Sequence, residues 1–131
     1  MLLILVGDIE KLERRSCSLY VSLMNKLINM VLYNVTVSVE QSIKDDWLTW
    51  MKEVHVPEVV ETGVFIKARI HRILSESDSD NTFAISYTCR SMQDFRQYQI
   101  EFASDLQKKH IDRYGDKVIA FRTLMEVIAD F

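Results

Sequence analysis

One histidine of this chain lies where a helix meets its only proline. The stretch WLTWMKEVHVPEVVETG, residues 47–63, contains His55 two residues before Pro57, with two tryptophans upstream. An imidazole titrates near neutral pH, so His55 could carry a proton or anchor a ligand. A histidine near a helix C-terminus also complements the helix dipole, which leaves a structural role open. Trp47 and Trp50 are expected in the core, with stacking of a flat substrate as the alternative.

Polar side chains on a predicted strand face form a second set of candidates. Arg69 and His71 share one face and could hold a carboxylate or phosphate, or pair with acidic side chains of the chain itself. Asn34 is central on another strand. We predict a small-molecule pocket lined by Asn34, Trp50, His55 and Arg69, with His55 as the candidate catalytic residue.

Other chemistries lack their motifs. The three histidines have no metal-ligand spacing, and no G-x-S-x-G, P-loop or Rossmann glycine pattern occurs. Cys17 and Cys89 have no metal-binding or redox spacing. No metal and no cofactor are therefore predicted. His110, in the basic stretch QKKHIDRYGD, is expected on a solvated surface.

Composition limits the class of protein. The 131 residues suit one domain, and 48% hydrophobic with 27% charged residues is typical of a globular protein. A net charge of −3, with scattered basic residues, argues against nucleic-acid binding. No apolar run approaches the roughly 18 residues of a membrane span, and the N-terminus lacks a basic signal-peptide region. Two cysteines favour a reducing compartment, so we expect a cytoplasmic protein without membrane or nucleic-acid partners.

Period-two alternation predicts the strands that must position the candidate residues. It recurs at residues 31–39, 64–75, 82–90 and 117–128, with the polar stretch ESDSDN as a hairpin loop between the second and third strands. An S-x-x-D capping box follows the first strand at Ser42 and the third at Ser91, and apolar residues then recur at helical spacing. Pro57 should kink or end the first helix near His55.

The resulting order is βαββαβ, which predicts an α+β, ferredoxin-like fold. Its four-stranded antiparallel sheet would carry both helices on one face, with the first and third strands in the centre. The two halves echo each other, as the pseudo-twofold symmetry of this fold requires. The domain occupies residues 30–131. Residues 1–29 form either an extra helix or upstream sequence from a wrongly assigned start, and we favour the second because the fold is complete without them.

The sheet face away from the helices is expected to be semi-polar. It could face water, or a second copy could cover it and form a dimeric α+β barrel, which we favour. The strand phases assign to this face Leu32, Asn34, Thr36, Ser38, Phe65, Lys67, Arg69, His71, Ile73, Ala84, Ser86 and Thr88, with Arg122 and Glu126 on the last strand.

The chain also resembles a known family. The resemblance rests on the following stretches and residues: YNVTV at 33–37, WMKEVHVPEV at 50–59, Thr62-Gly63, Ala68-Arg69, SYT at 86–88, His110, RYGD at 113–116 and FRTLMEV at 121–127. They resemble an uncharacterised bacterial family of short proteins, known only as a domain of unknown function and related to the dimeric α+β barrel superfamily. The resemblance covers residues 30–131 and brings no established activity.

The wider superfamily includes cofactor-independent monooxygenases, haem-degrading enzymes, lactone isomerases and ligand-binding proteins. Their cavities lie between sheet and helices, where His55 and Trp50 are expected, and some use a polar residue of the first strand, in the position of Asn34. The resemblance therefore implies a homodimeric small-molecule-binding protein. A cofactor-independent monooxygenase or isomerase and a structural dimerisation protein are the alternatives, because fold does not specify function. The sequence leaves the ligand open.

Overall fold

The computed structural model describes residues 29–76 and 81–131, together with the helical positions Arg15, Cys17 and Leu19. The predicted extension 1–29 and loop residues 77–80 otherwise lie outside the described residues. The strands are β1 (Val31–Val39), β2 (Phe65–Arg72), β3 (Thr82–Cys89) and β4 (Val118–Glu126). The helices are α1 (Lys44–Trp50), α2 (Val56–Glu61), α3 (Met92–Tyr98) and α4 (Ser104–Tyr114).

The four strands form one antiparallel sheet in the order β2-β3-β1-β4. The predicted βαββαβ order is confirmed, with β1 and β3 in the centre. Alternate residues of these central strands are buried on the side of the helices, as period-two strands with one covered face require. The buried set is Val31, Tyr33, Val37 and Val39 on β1, and Phe83, Ile85, Tyr87 and Cys89 on β3.

A π-helical turn joins the two α-helices in each half of the helix layer. Met51–His55 joins α1 to α2, and Gln99–Ala103 joins α3 to α4. In both halves the turn follows a seven-residue α-helix and has five residues, which agrees with the predicted pseudo-twofold relation. We call α1–α2 the first helical segment and α3–α4 the second. Among the described residues, no helix is both long and apolar enough to cross a membrane.

Pro57 interrupts the first helical segment without ending it. The α-helical pattern stops at Trp50, and the α-helix resumes at Val56, so Pro57 lies in the first turn of α2. The π turn Met51–His55 precedes α2, so Pro57 has helical residues on both sides, and its missing N–H removes one hydrogen bond to that turn. The segment nevertheless continues to Glu61, so the helix does not end near His55.

The two predicted capping boxes have different outcomes. Ser91 is the N-cap of α3, and its Oγ accepts a 3.1 Å hydrogen bond from the Asp94 backbone N–H. The box at Ser42 is wrong: a 3₁₀ turn, Gln41–Ile43, precedes α1, and the Ser42 hydroxyl donates to the Glu40 carboxylate instead. A side chain committed to Glu40 leaves the first backbone N–H groups of α1 without a side-chain cap.

Three residues assigned to the uncovered sheet face lie on the helix side. The pairing of β2 with β3 shifts between Phe65 and Lys67, and this bulge turns Phe65 into the core. On β4, Arg122 pairs with Val35 and Glu126 with Val31, so both belong to the helix-side set. The β4 positions of the uncovered face are instead Ile119, Phe121, Thr123 and Met125, which pair with Ser38, Thr36, Asn34 and Leu32.

The contrast between the two serines is testable. We expect Ser91→Ala to lower the free energy of unfolding by about 1 kcal/mol, because α3 loses its N-cap. Ser42→Ala is the matched control and should change it by less than about 0.5 kcal/mol, as exposed substitutions do. Urea unfolding of both variants measures the difference. Equal losses would show that the hydrogen bond to Asp94 N–H does not stabilise the helix.

Candidate functional site

Two tryptophans and two histidines pack together between the helical segments and the sheet. Trp47 is fully buried, and its Nε1–H donates a 2.9 Å hydrogen bond to Nε2 of His110. Trp50 stacks on His55 with ring centroids 4.6 Å apart and planes at 20°. The two imidazoles are 5.7 Å apart between centroids. The expected core position of Trp47 is confirmed, and Trp50 is half-buried.

The spacing of residues along the first helical segment brings His55 into this cluster. Trp47, Met51, His55 and Val59 recur every four residues, and all four are buried. In an α-helix of 3.6 residues per turn, such a row drifts around the axis by about 40° per step. The wider π turn at Met51–His55 offsets part of this drift, so the row stays directed towards the sheet.

The expectation of a solvated His110 is wrong. Its side chain is buried, because Leu106, His110 and Tyr114 form the inward row of α4. Only the neighbours of His110 carry the basic surface that the sequence indicated. Lys108 pairs with Asp112, and Lys109 pairs with Glu58 of α2 at 3.0 Å.

Side chains of α4 also pack against the Trp50 ring. The Arg113 guanidinium carbon is 5.5 Å from the centroid of the Trp50 ring. The Arg113 Nε–H donates to the Tyr114 hydroxyl at 3.0 Å, and that hydroxyl donates to the Asp46 carboxylate at 2.8 Å. The Trp50 ring is thus engaged by the protein's own side chains, which disfavours it as the stacking surface for a flat substrate.

Burial holds both histidines in the neutral form. Burial, with a smaller contribution from His110, lowers the pKa of His55 to about 4. The pKa of His110 is also lowered, first by burial and then by the charge of Arg122. Nδ1 of His55 is buried and has no hydrogen-bond partner among the described residues. The pair can accept or donate hydrogen bonds at neutral pH, but His55 is a weak base there.

His55 faces a small internal cavity of about 40 Å³. Such a space holds one water molecule, whose share of liquid volume is about 30 Å³. Outside it, between the second helical segment and β4, lies an open cleft of about 470 Å³. We call this space the β4 cleft. The internal cavity and the β4 cleft share four lining residues, Tyr33, Tyr98, Gln107 and Arg122.

These four shared residues give the β4 cleft its chemistry. Arg122 supplies a positive charge that, within the part of the chain described, enters no ion pair. Burial raises the pKa of Tyr33, although the Arg122 charge and the Gln107 side chain oppose the shift. Burial also raises the pKa of Tyr98, so both phenols stay protonated. Sequence reasoning missed this group, because the β4 alternation did not place Arg122 on the helix side.

The four predicted site residues lie on opposite faces of the sheet. Trp50 and His55 are on the helix side, whereas Asn34 and Arg69 are on the uncovered face, where both flank Ser86 in the strand pairing. Asn34 donates from Nδ2 to the Thr36 hydroxyl at 3.1 Å. The four side chains therefore do not line one pocket. In the described ranges, no three His, Cys, Asp or Glu side chains are arranged to hold a metal ion.

Solved structures of other proteins share this fold. A dimeric ferredoxin-like protein from an uncultured marine organism is 9% identical, with a TM-score of 0.64 over 78% of this chain and 98% of its own. SnoaB of Streptomyces nogalater, a cofactor-independent oxygenase, is 11% identical, with a TM-score of 0.57 over 79% and 97%. An EthD-like protein of Ralstonia eutropha is 15% identical, with a TM-score of 0.59 over 79% and 96%. The chain is therefore a ferredoxin-like α+β protein.

The family follows from the sequence of the same region. Residues 30–128 match the family described as "Domain of unknown function (DUF4286)". This chain belongs to that family, as its resemblance indicated. No curated protein matches it.

The burial of His55 predicts a pH-dependent stability. Its pKa is about 4 in the folded chain against 6.5 for an ordinary histidine, so the unfolded chain binds this proton first on acidification. The free energy of unfolding should therefore fall between pH 6.5 and 4, by roughly 2–3 kcal/mol from His55 alone. Urea unfolding at pH 7 and 4.5 measures the loss.

Two variants isolate this contribution. His55→Gln should remove most of it, and His71→Gln, the same change at an exposed histidine on the other sheet face, should keep it. A His55→Gln variant that retains the wild-type loss between pH 7 and 4.5 would contradict the assignment.

Proposed function

We propose that this protein is a homodimeric small-molecule-binding module whose ligand occupies the β4 cleft. The observation that carries the proposal is the cleft itself, about 470 Å³ in volume and lined by two phenols, two amides and an arginine that enters no ion pair among the described residues. Ligand sites typically measure about 300–1,000 Å³ and combine apolar walls with a few polar groups. The apolar walls here include Phe95, Ala103 and Leu124.

The cleft arises because β4 is an edge strand that the helices do not cover. No residue of β4 is fully buried, whereas the central strand β3 buries every second residue. The second helical segment therefore leaves space above Arg122, and the π turn Gln99–Ala103 borders that space. The binding energy of a ligand would come from burying the helix-side surface of β4 that the helices leave exposed.

The side chains of the cleft favour a flat, aromatic ligand with an acidic oxygen. The Arg122 guanidinium can bind a carboxylate or phenolate through paired N–H groups and can also stack on a ring. Tyr33 and Tyr98 offer ring faces and protonated hydroxyls, and Gln107 adds an amide. Among the described residues, no acidic side chain lines the cleft. The proposal requires neither a metal nor a cofactor.

A cofactor-independent oxygenase or isomerase is the second candidate, with His55 as proton carrier. The unpartnered Nδ1 of His55 supports it, and SnoaB shows that this fold can accompany cofactor-independent oxygen chemistry. Two features make it secondary. A base with a pKa of about 4 is poorly matched to neutral pH. The cavity next to His55 also holds no more than a water-sized molecule.

The homodimer would form through the uncovered sheet face. Apolar side chains of β4 are exposed on it: Ile119 by 60%, Phe121 by 67% and Met125 by 42%. Packing this face on a second copy would bury them in a sheet-on-sheet contact. That the ferredoxin-like protein of matching fold is dimeric supports a dimer, though not a particular interface. If the β4 cleft binds nothing, dimerisation itself would be the function.

A cytoplasmic location belongs to the same proposal. Both Cys17 and Cys89 are free thiols. Free cysteines are the rule in reducing compartments.

Benzoate is a suitable first probe of the β4 cleft, because it is flat and carries one carboxylate. We expect millimolar benzoate to shift the amide NMR signals of the second helical segment and β4. Arg122→Gln should weaken binding about tenfold or more, since a charge-assisted hydrogen bond to the carboxylate is lost.

Arg69→Gln provides the matched control, because it makes the same change on the opposite sheet face. It should leave the benzoate affinity within about twofold of wild type. Shifts confined to the uncovered face, or equal weakening in the two variants, would contradict the β4 cleft as the binding site.

A further inference from the structure

Three basic side chains lie in line on the uncovered face of the sheet. The bulge after Phe65 sets the phase of β2 so that Lys67, Arg69 and His71 all fall on this face. Successive members are two residues apart, which corresponds to roughly 7 Å along a strand. All three are exposed.

Neutral hydrogen-bonding groups face these basic side chains across the neighbouring strands. Lys67 pairs with Thr88, Arg69 pairs with Ser86, and Ser86 in turn pairs with Asn34. Nδ1 of His71 lies 3.2 Å from the Ala84 carbonyl, which directs Nε2 away from the backbone. These side chains and Leu32 line a groove of about 420 Å³. We call it the basic groove.

The chain itself supplies no counter-charge on the described strands. Their uncovered-face positions are Leu, Asn, Thr and Ser on β1, Thr, Ala, Ser and Thr on β3, and Ile, Phe, Thr and Met on β4. The basic partners of the ion pairs among the described residues are Lys108, Lys109 and Arg113, all on α4. A concentrated positive charge that has no acidic partner among the described residues stands out in a chain of net charge −3.

We propose that the basic groove binds a phosphate-type oxyanion. Arginine presents paired N–H donors that match a phosphate or pyrophosphate, and lysine adds a point charge beside it. The hydroxyls of Ser86 and Thr88 and the Asn34 amide complete a set of donors around the groove. This site is separate from the β4 cleft, because the sheet lies between them.

The oxyanion also completes the dimer interface, a second step that rests on the homodimer proposed above. A second copy on this face removes Lys67 and Arg69 from water, and buried cations without partners oppose association. A bound oxyanion neutralises them and supplies acceptors for their N–H groups. Dimerisation and anion binding are then coupled, so each strengthens the other.

Inorganic pyrophosphate tests both steps with the full chain. Sedimentation measures the dimer dissociation constant in pyrophosphate and in sodium chloride of equal ionic strength. We expect the wild-type dimer to be about tenfold tighter in pyrophosphate. Arg69→Gln should remove this difference and tighten the dimer in chloride, because one unpaired cation has gone. Arg72→Gln, which changes the arginine three residues further along β2, on the helix side over Phe83, should behave as wild type.

The possible results distinguish anion binding from its coupling to dimerisation. A dimer of unchanged affinity in pyrophosphate, or a loss of the effect in both variants, overturns the coupling. If the chain is monomeric throughout, calorimetry with pyrophosphate decides the anion site alone. Binding that Arg69→Gln abolishes and Arg72→Gln retains supports the basic groove, and no binding to wild type overturns it. Neither result depends on the β4 cleft.

Discussion

The hydrogen bond from Trp47 to His110 is the interaction on which the helix layer depends. It joins residues 63 positions apart in sequence, one on each helical segment, and it satisfies the indole N–H of a fully buried tryptophan. An unpaired donor at that depth would be costly. Because Nε2 of His110 accepts, the proton of the neutral ring is on Nδ1. His110 is thereby kept neutral beside His55, and the stack on Trp50 closes the layer at that end of the sheet.

The sheet separates two environments with different chemistry. On the helix side, the cavity beside His55 and the β4 cleft adjoin at their shared lining residues Tyr33, Tyr98, Gln107 and Arg122. On the other side, the basic groove lies beside the exposed apolar residues of β4. Strand β1 contributes to both, since neighbouring residues of a strand point to opposite faces: Tyr33 lines the β4 cleft, whereas Leu32 and Asn34 line the basic groove. Ligand binding and assembly can therefore use the same strands without competing for the same side chains.

Much of this fold was predictable from sequence, and the failures have physical causes. Alternation at β1 and β3 specified the central strands, because only one of their faces is apolar. The phase of β4 was ambiguous, since Val118 and Ala120 are as apolar as Ile119 and Phe121 on the other face. A bulge at Ile66 depends on pairing with β3, which local sequence does not encode. The four-residue spacing of Leu106, His110 and Tyr114 could have predicted that His110 is buried. The charged residues next to it in sequence suggested a solvated surface instead. The predicted pocket combined residues from both faces of the sheet, with Asn34 and Arg69 on the uncovered face and Trp50 and His55 on the helix side.

Native mass spectrometry of the protein purified from cells tests the central claim most directly. If the protein is a homodimer with an occupied β4 cleft, the spectrum should show a dimer with a small-molecule mass increment, and that increment should disappear in Arg122→Gln while the dimer remains. A monomer, or a wild-type dimer without any added mass even in the presence of millimolar benzoate, would contradict the account.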